Sequence, residues 1–495
     1  MKNAINFIKK HDNIFVIIII GLIMLSKVYY LSLLNTDESF NFANAYKMAN
    51  GLTIYKDNNV IITPLFFYIS SIFLKIFGEN IFVFRTLNLI IATMTFFLCY
   101  VIFKQLKVNK RLSLLYTLIV IAVISQVIEA GANYNVLAYM FYLLGLYLLL
   151  RMKKRTAKNI VQGLMLFLVF LSYQKLGAAY FVALIVYEIL NKDIKSLFKE
   201  LLTALILLIA FLLYLYTQNN LYDFINYAVL GIGEFGSTNW IAEWDIIKIL
   251  LMLLLPMVTL MVTIVIINTI KTHLKLENEK EIINQMLSMY TFSICACIIA
   301  IPILNVYHLY LANILMLVDL LYLISFLVMP ILEEKSIKNL INTIIICMII
   351  FLLVRSGISI WNYAKSINEI PKDSPFYGGI MEDDVRQTVE EVGDYIIGNE
   401  KNTIVLSTYA PLISVYTNDL DNGVYDLVLR GNLGIEGEEG LIEKIKGLNN
   451  TQVLLLHETD EEKEIYQFAS NAANYIKENF TYVGQVNKFD IYETK

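Results

Sequence analysis

Asn35-Thr36-Asp37-Glu38-Ser39 follows without a break on Ile14–Leu34, and the reading of these two pieces together decides the fold. The first is made mainly of Ile, Val, Phe, Leu and Tyr and carries one charge, Lys27. Its length of about twenty residues suits a helix crossing a hydrocarbon layer roughly 30 Å thick. It lacks the small-residue cleavage site of a signal peptide, so it reads as a retained span. Asp37 and Glu38 therefore stand at the membrane surface, at the mouth of whatever the other helices enclose. Ionisable groups at membrane level are costly and mark functional candidates. The competing reading is that the pair marks where lipid ends and water begins.

The rest of the chain extends the membrane reading. Hydrophobic residues make up 57%, charged residues 17%, and the mean hydropathy is +0.61, a profile that excludes an ordinary soluble domain. No basic cluster is interleaved with aromatics, which argues against nucleic acid as a partner. All four cysteines (Cys99, Cys295, Cys297, Cys347) lie in apolar runs, without zinc spacing or a disulfide framework. Heavy use of Ile, Lys and Asn suggests a bacterial, low-GC origin.

Eleven spans are expected, at about 13–33, 81–103, 112–128, 135–150, 159–173, 176–190, 201–217, 246–270, 285–301, 311–332 and 340–360. With the N-terminus inside, twenty Lys and Arg fall in inner segments, from Lys2 to Lys338. Only Lys47, Lys56, Lys75 and Lys175 fall in outer loops. That asymmetry sets the topology and places Asp37 outside. Pro64–Phe77 is apolar but too short to span, and counting it would reverse every later loop. It reads as an amphipathic helix lying on the outer surface.

The first outer loop then covers residues 34–80, and loops of that length are usually functional. Within it, Glu38–Gly51 reads as a short helix closed by Gly51, with the carboxylates at the positive end of its dipole. Lys175 sits in the tight outer turn Tyr173-Gln174-Lys175-Leu176-Gly177, where it needs water or an anion. The loop 218–245 carries Asp223 and Glu234, with Trp240 and Trp244 as interfacial anchors. Pro302-Ile-Leu-Asn-Val-Tyr307-His308-Leu-Tyr310 holds the one histidine on the outer side near the membrane.

From Trp361 the composition shifts. Strand-like pieces (403–407, 451–456, 482–486, 489–492) alternate with helical ones (383–397, 437–447, 461–479), which predicts a small α/β domain over 361–495, outside the membrane. It shows no glycine-rich phosphate loop and no nucleophile elbow.

An ordered set of motifs resembles the GT-C fold glycosyltransferases that use lipid-linked sugars. That group includes the bacterial aminoarabinose transferase acting on lipid A and the protein O-mannosyltransferases. The set comprises Thr36-Asp37-Glu38 after the first span, Ala49-Asn50-Gly51, Thr63-Pro64-Leu65, Phe77-Gly78-Glu79-Asn80 and Phe82-Val-Phe-Arg85. Asn133-Tyr134-Asn135, the lysine turn at Lys175 and Tyr307-His308-Leu309-Tyr310 complete it. The resemblance covers chiefly the first 190 residues. It implies a GT-C membrane catalytic domain over residues 1–360 and inverting transfer of a sugar from a polyprenyl-phosphate donor. The acceptor (protein, wall polymer or lipid) would lie outside the plasma membrane of a bacterium.

On that resemblance Asp37 is the expected base and Glu38 its support. Arg85 and Lys175 are the expected contacts to the donor phosphate, and Tyr307, His308, Tyr310 and Asn135 the expected lining. A divalent cation (Mg, Mn or Zn) on Asp37 is a further expectation. The chain departs from the group in two places: Asn135 stands at an outer turn where an acidic residue is common, with Glu129 nearby, and Thr63 stands where some members carry lysine. Two other readings remain beside it. One is a polysaccharide polymerase, flippase or transporter-like protein; the other is an outer binding module on a degenerate anchor. The internal symmetry expected of transporters is not visible.

Overall fold

The computed structural model describes residues 12–29, 33, 36–124, 133–233, 246–274, 279–301, 303–328, 332, 334–366, 370–418, 425–426, 428, 432–456 and 469–494. Asn35, Glu129, Glu234, Trp240, Trp244, Pro302 and the 461–468 part of the expected last helix lie outside them. Among the described residues, eight helices are long and apolar enough to cross a membrane. The chain is a multi-span membrane protein.

α1 (Asp12–Tyr29) is the first of these helices. After it come α2 (Thr36–Ala49) and the short apolar α3 (Leu65–Phe77), then the long α4 (Ile81–Gln105). α5 (Lys110–Ile124), α6 (Tyr134–Arg151), α7 (Arg155–Ser172), α8 (Gln174–Leu190) and α9 (Ile194–Thr217) follow. After the short α10 (Leu221–Phe224) come α11 (Ile246–Thr269), α12 (Glu279–Ala296), α13 (Val306–Val328) and α14 (Lys335–Ser366). A helix thus occupies each of the eleven expected positions. Three of them (α5, α7, α8) fall below the length or hydropathy that marks the other eight, so the count of eleven is not established.

Local chemistry explains the joints that matter for the site. Gly51 adopts φ +102° after α2, a conformation that favours glycine. Pro64 precedes α3, which buries Phe66, Phe67 and Leu74 and exposes Ile72, Ile76 and Phe77. It is amphipathic, with its inner face packed on α2. Asn80 caps α4 by accepting from the Val83 amide at 3.0 Å. Asn133 caps α6 in the same way, accepting from the Asn135 amide at 2.7 Å. The expected five-residue turn at Tyr173–Gly177 shrinks to one extended residue, Tyr173, and Lys175 already lies in the first turn of α8. Gly177 permits this: a Cβ there would meet Phe170 Cα at 2.6 Å.

The C-terminal region contains α15 (Asp383–Ile397), β1 (Asn402–Leu406), α16 (Ala410–Thr417), α17 (Gly437–Lys446), β2 (Thr451–Leu456), α18 (Ser470–Asn479), β3 (Thr481–Val486) and β4 (Phe489–Glu493). The sheet order is β1-β2-β4-β3, with β1 parallel to β2 and the other two pairings antiparallel. Ile404, Leu406, Val453, Leu455 and Ile476 form part of its own core. The region is also tied to the membrane part. α16 packs on α2, Leu33 N donates to Ile380 O at 2.7 Å, and the amides of Ile81 and Phe82 donate to Pro375 and Tyr377 carbonyls at 2.9 and 3.0 Å.

Candidate active site

The first turn of α2 carries two adjacent carboxylates with different surroundings. Glu38 is fully buried and takes Arg85 of α4 in a two-pronged contact. Nε donates to Oε1 at 3.0 Å, and a terminal nitrogen donates to Oε2 at 2.7 Å. The other terminal nitrogen of Arg85 donates to the Tyr29 carbonyl at 3.3 Å. All three guanidinium nitrogens therefore have protein acceptors, and the Glu38 and Arg85 side chains are equally inaccessible. Such fork-on-carboxylate geometry is strong and orienting. It joins two residues that the sequence had assigned to different tasks, base support and donor phosphate.

Asp37 points elsewhere, as adjacent helical positions lie about 100° apart. Its side chain is accessible, yet desolvation by the surrounding protein raises its carboxyl above the ordinary carboxylate range. Accessibility combined with desolvation describes a group on the wall of a recess. Asp37 lies within electrostatic reach of Tyr134, at the start of α6, and Tyr307, at the start of α13. Asn133 Nδ2 donates to the Tyr307 hydroxyl at 2.7 Å, and the Asn135 side chain lies near that hydroxyl.

The same cluster continues through rings. Tyr134 packs on Tyr173 with centroids 5.3 Å apart, and Tyr307 meets His308 edge-on at 5.1 Å. His308 is held by Asn305, whose Oδ1 lies 2.8 Å from Nδ1 and accepts the His308 amide at 2.9 Å. Lys175 is half-buried, within electrostatic reach of His308. Its Nζ lies 5.8 Å over the Tyr173 ring and donates to the Ile301 carbonyl at 2.9 Å. An ammonium has three donors, and that contact uses one of them.

Of the residues picked from sequence, the structure gathers Asp37, Asn135, Lys175, Tyr307 and His308 where the starts of α2, α6, α8 and α13 meet. Tyr310 lies partly buried, packed against the core one turn further along α13. Glu38 and Arg85 form the support behind Asp37. Sequence reasoning had not singled out Tyr134 and Tyr173 as site residues, although both stand in motifs it quoted. An aromatic beside a capping asparagine or a turn lysine was the available signal. Among the described residues no three His, Cys, Asp or Glu side chains converge on a point. With Glu38 held by Arg85, Asp37 offers one carboxylate, which is no closed protein cage; an ion such as Mg²⁺ commonly takes one or two carboxylates together with phosphate and water.

A multi-span helical part, the short apolar helix α3 and a small C-terminal sheet are the arrangement of the GT-C fold. Crystal structures of two proteins share it with this chain. ArnT from Cupriavidus metallidurans in the apo state matches with a TM-score of 0.54 and 9% identity, over 99% of this chain and 98% of that one. The same protein bound to undecaprenyl phosphate matches at 0.53, 9% identical over 97% of each chain. The Archaeoglobus fulgidus oligosaccharyltransferase, tethered to an acceptor peptide containing the NVT sequon, matches at 0.51 with 12% identity, over 99% of this chain and 75% of that one. The model of the dolichyl-phosphate-mannose-protein mannosyltransferase family matches residues 62–216, a stretch holding Arg85, Asn135 and Lys175 but neither Asp37 nor His308. No curated protein sequence matches significantly.

Proposed function

We propose that this chain is an integral-membrane glycosyltransferase that moves a sugar, with inversion, from a polyprenyl-phosphate donor to an acceptor hydroxyl outside the membrane. The observation that carries this is Asp37: an accessible, desolvated carboxylate on a clamped helix, facing a Tyr–Asn–His–Lys cluster in a GT-C fold. In that role Asp37 takes the proton from the acceptor hydroxyl as its oxygen attacks the anomeric carbon. The bond from that carbon to the phosphate oxygen breaks on the opposite side, and polyprenyl phosphate leaves. Lys175 stands where a departing phosphate needs a cation. Arg85 is instead assigned to holding Glu38, and through it the start of α2. General-base help of this kind contributes typically ~10²–10⁴-fold.

The donor class is also supported by the structural likeness to a protein solved with undecaprenyl phosphate. We place the N-terminus in the bacterial cytoplasm and residues 361–495 outside, on the basic-residue asymmetry. The test is donor consumption by purified protein across a panel of polyprenyl-phosphate sugars, beside Asp37→Asn. Consumption abolished in the variant supports the reading. Equal consumption by the variant and parent removes Asp37 from the mechanism, and translocation of a donor without its consumption favours a flippase.

A further inference from the structure

α8 carries Lys175 in its first turn and Glu188 in its last, about 20 Å away by helical rise. The far end holds a second buried polar cluster that the proposed transfer does not use. Glu188 is completely buried and pairs with Lys158 of α7, Nζ to Oε1 at 2.8 Å. Glu200 of α9 is also completely buried, within electrostatic reach of Glu188. Among the described residues neither oxygen of Glu200 has a donor, nor does Oε2 of Glu188. A further orphan acceptor, Asn159 Oδ1, belongs to the residue after Lys158. The Asn159 amide nitrogen is fixed at 3.2 Å by Ser196, one turn before Glu200. The backbones of α7 and α9 close tightly here: a Cβ on Gly163 would meet the Glu200 carbonyl at 2.4 Å.

The surrounding charges leave an imbalance. Arg155 pairs with Asp193, so these two cancel. Lys192, Lys195 and Lys199 are exposed, so among the described buried groups Lys158 alone balances one of Glu188 and Glu200, leaving one buried carboxylate without an ion-pair partner there. Tyr180 and Tyr187 stand near Glu200. On α12, Lys280 and Glu281 cancel each other while lining an open cavity of about 590 Å³ with Tyr187 and Asn191. That cavity brings solvent to the residue preceding Glu188. An isolated buried charge is far too costly to persist, and acceptors facing acceptors repel unless a positive species lies between them.

We propose that Glu188 and Glu200 form a binding site for one monovalent cation, placed between their carboxyls at the end of the membrane part opposite Asp37. The chemistry is a single positive charge shared by two carboxyl groups, and a proton or an alkali-metal ion supplies it equally well. The site neutralises the cluster and ties α7, α8 and α9 together. It is independent of the transferase reading.

The experiment follows thermal unfolding of the purified full-length protein in detergent at constant ionic strength. Sodium, potassium or N-methylglucamine chloride is supplied at about pH 8. A second series in N-methylglucamine runs from about pH 6 to about pH 9. A midpoint raised by several degrees in sodium or potassium, and unmoved in Glu200→Gln, establishes an alkali ion. With no alkali effect, a wild-type midpoint that falls as pH rises, with that slope lost in Glu200→Gln, establishes a shared proton. The sign follows because a proton held by the folded state and released on unfolding stabilises less as pH increases. Glu188→Gln leaves Lys158 and Glu200 balanced, so it loses the same dependence and serves if Glu200→Gln does not fold. Identical cation and pH responses in wild type and both variants overturn the proposal.

Discussion

α2 is gripped by an ion pair near each end, and the two grips face different parts of the molecule. Near its start Glu38 meets Arg85 of the membrane helix α4; near its end Lys47 meets Asp426 of the C-terminal region. All four side chains are inaccessible to solvent. Asp37, one residue from Glu38, is accessible. The contrast teaches how a chemical group is held still while its own face stays open: neighbours on the helix take the structural load, one toward the membrane helices and one toward the C-terminal region. α16 packing on α2, and Tyr46 Oη donating to Asn418 Oδ1 at 3.3 Å, reinforce the second grip.

The largest expected effect comes from the open position. Asp37→Asn should lower turnover by ~10²–10⁴-fold without lowering the unfolding midpoint, measured as donor consumption and thermal unfolding on one preparation. A matching loss of stability would show that Asp37 belongs to the clamp. The clamps should behave in the opposite way. Arg85→Met leaves Glu38 buried without its partner and should cost about 3–5 kcal/mol of stability. Lys47→Met should do the same to Asp426. Adding Glu38→Leu to Arg85→Met should recover much of the loss, since the unpaired charge is then gone. The two clamps separate by location: Lys47→Met should expose the C-terminal region to limited proteolysis first, and Arg85→Met should not.

Lys175→Met is expected to be milder. It removes one charged hydrogen-bond donor from the phosphate, worth about 1.5–3 kcal/mol, or roughly ten- to a hundred-fold. The loss should fall mainly on donor affinity, seen as a raised KM for the polyprenyl-phosphate sugar. An effect confined to folding would reduce Lys175 to its contact with the Ile301 carbonyl.

Much of this architecture was legible in the sequence because hydropathy acts residue by residue. The four strands lie within a residue of their expected positions, since alternation and β-branched runs are local signals. α16 was missed: Pro411 and Ile413-Ser-Val look like a break and a strand, yet proline suits the first turn of a helix. The pairing of Glu38 with Arg85, and of Lys47 with Asp426, was not legible. The partners are 47 and 379 residues apart, and only the packed fold decides which charges are buried together. The same holds for Arg85: position at a span's outer start fits lipid phosphate, donor phosphate and Glu38 alike. The motifs around Asn133 and Lys175 stand at turns the fold brings together, but the contact of Tyr134 with Tyr173 emerges only when α6 and α8 meet.

The smallest effect, and the one that most sharpens the comparison, is in pH. Desolvation raises the Asp37 carboxyl above the ordinary carboxylate range, so the folded protein binds that proton more tightly than the unfolded chain. A raised folded-state pKa means that Asp37 costs stability once pH exceeds its folded value, and costs nothing below the unfolded value. Asp37→Asn should therefore unfold at a slightly higher temperature than wild type at neutral pH, the gap closing on acidification into the ordinary carboxylate range. Catalysis runs the other way, because a base works only when unprotonated. Turnover should fall on the acid side with a midpoint above that of a free aspartate, and Asp37→Asn should lose that limb. Neither clamp variant removes this titrating group, so both should retain an acid limb in whatever activity survives. An acid limb lost with Arg85→Met but kept with Asp37→Asn would move the base from Asp37 to Glu38, and the open and closed ends of the first turn would exchange roles.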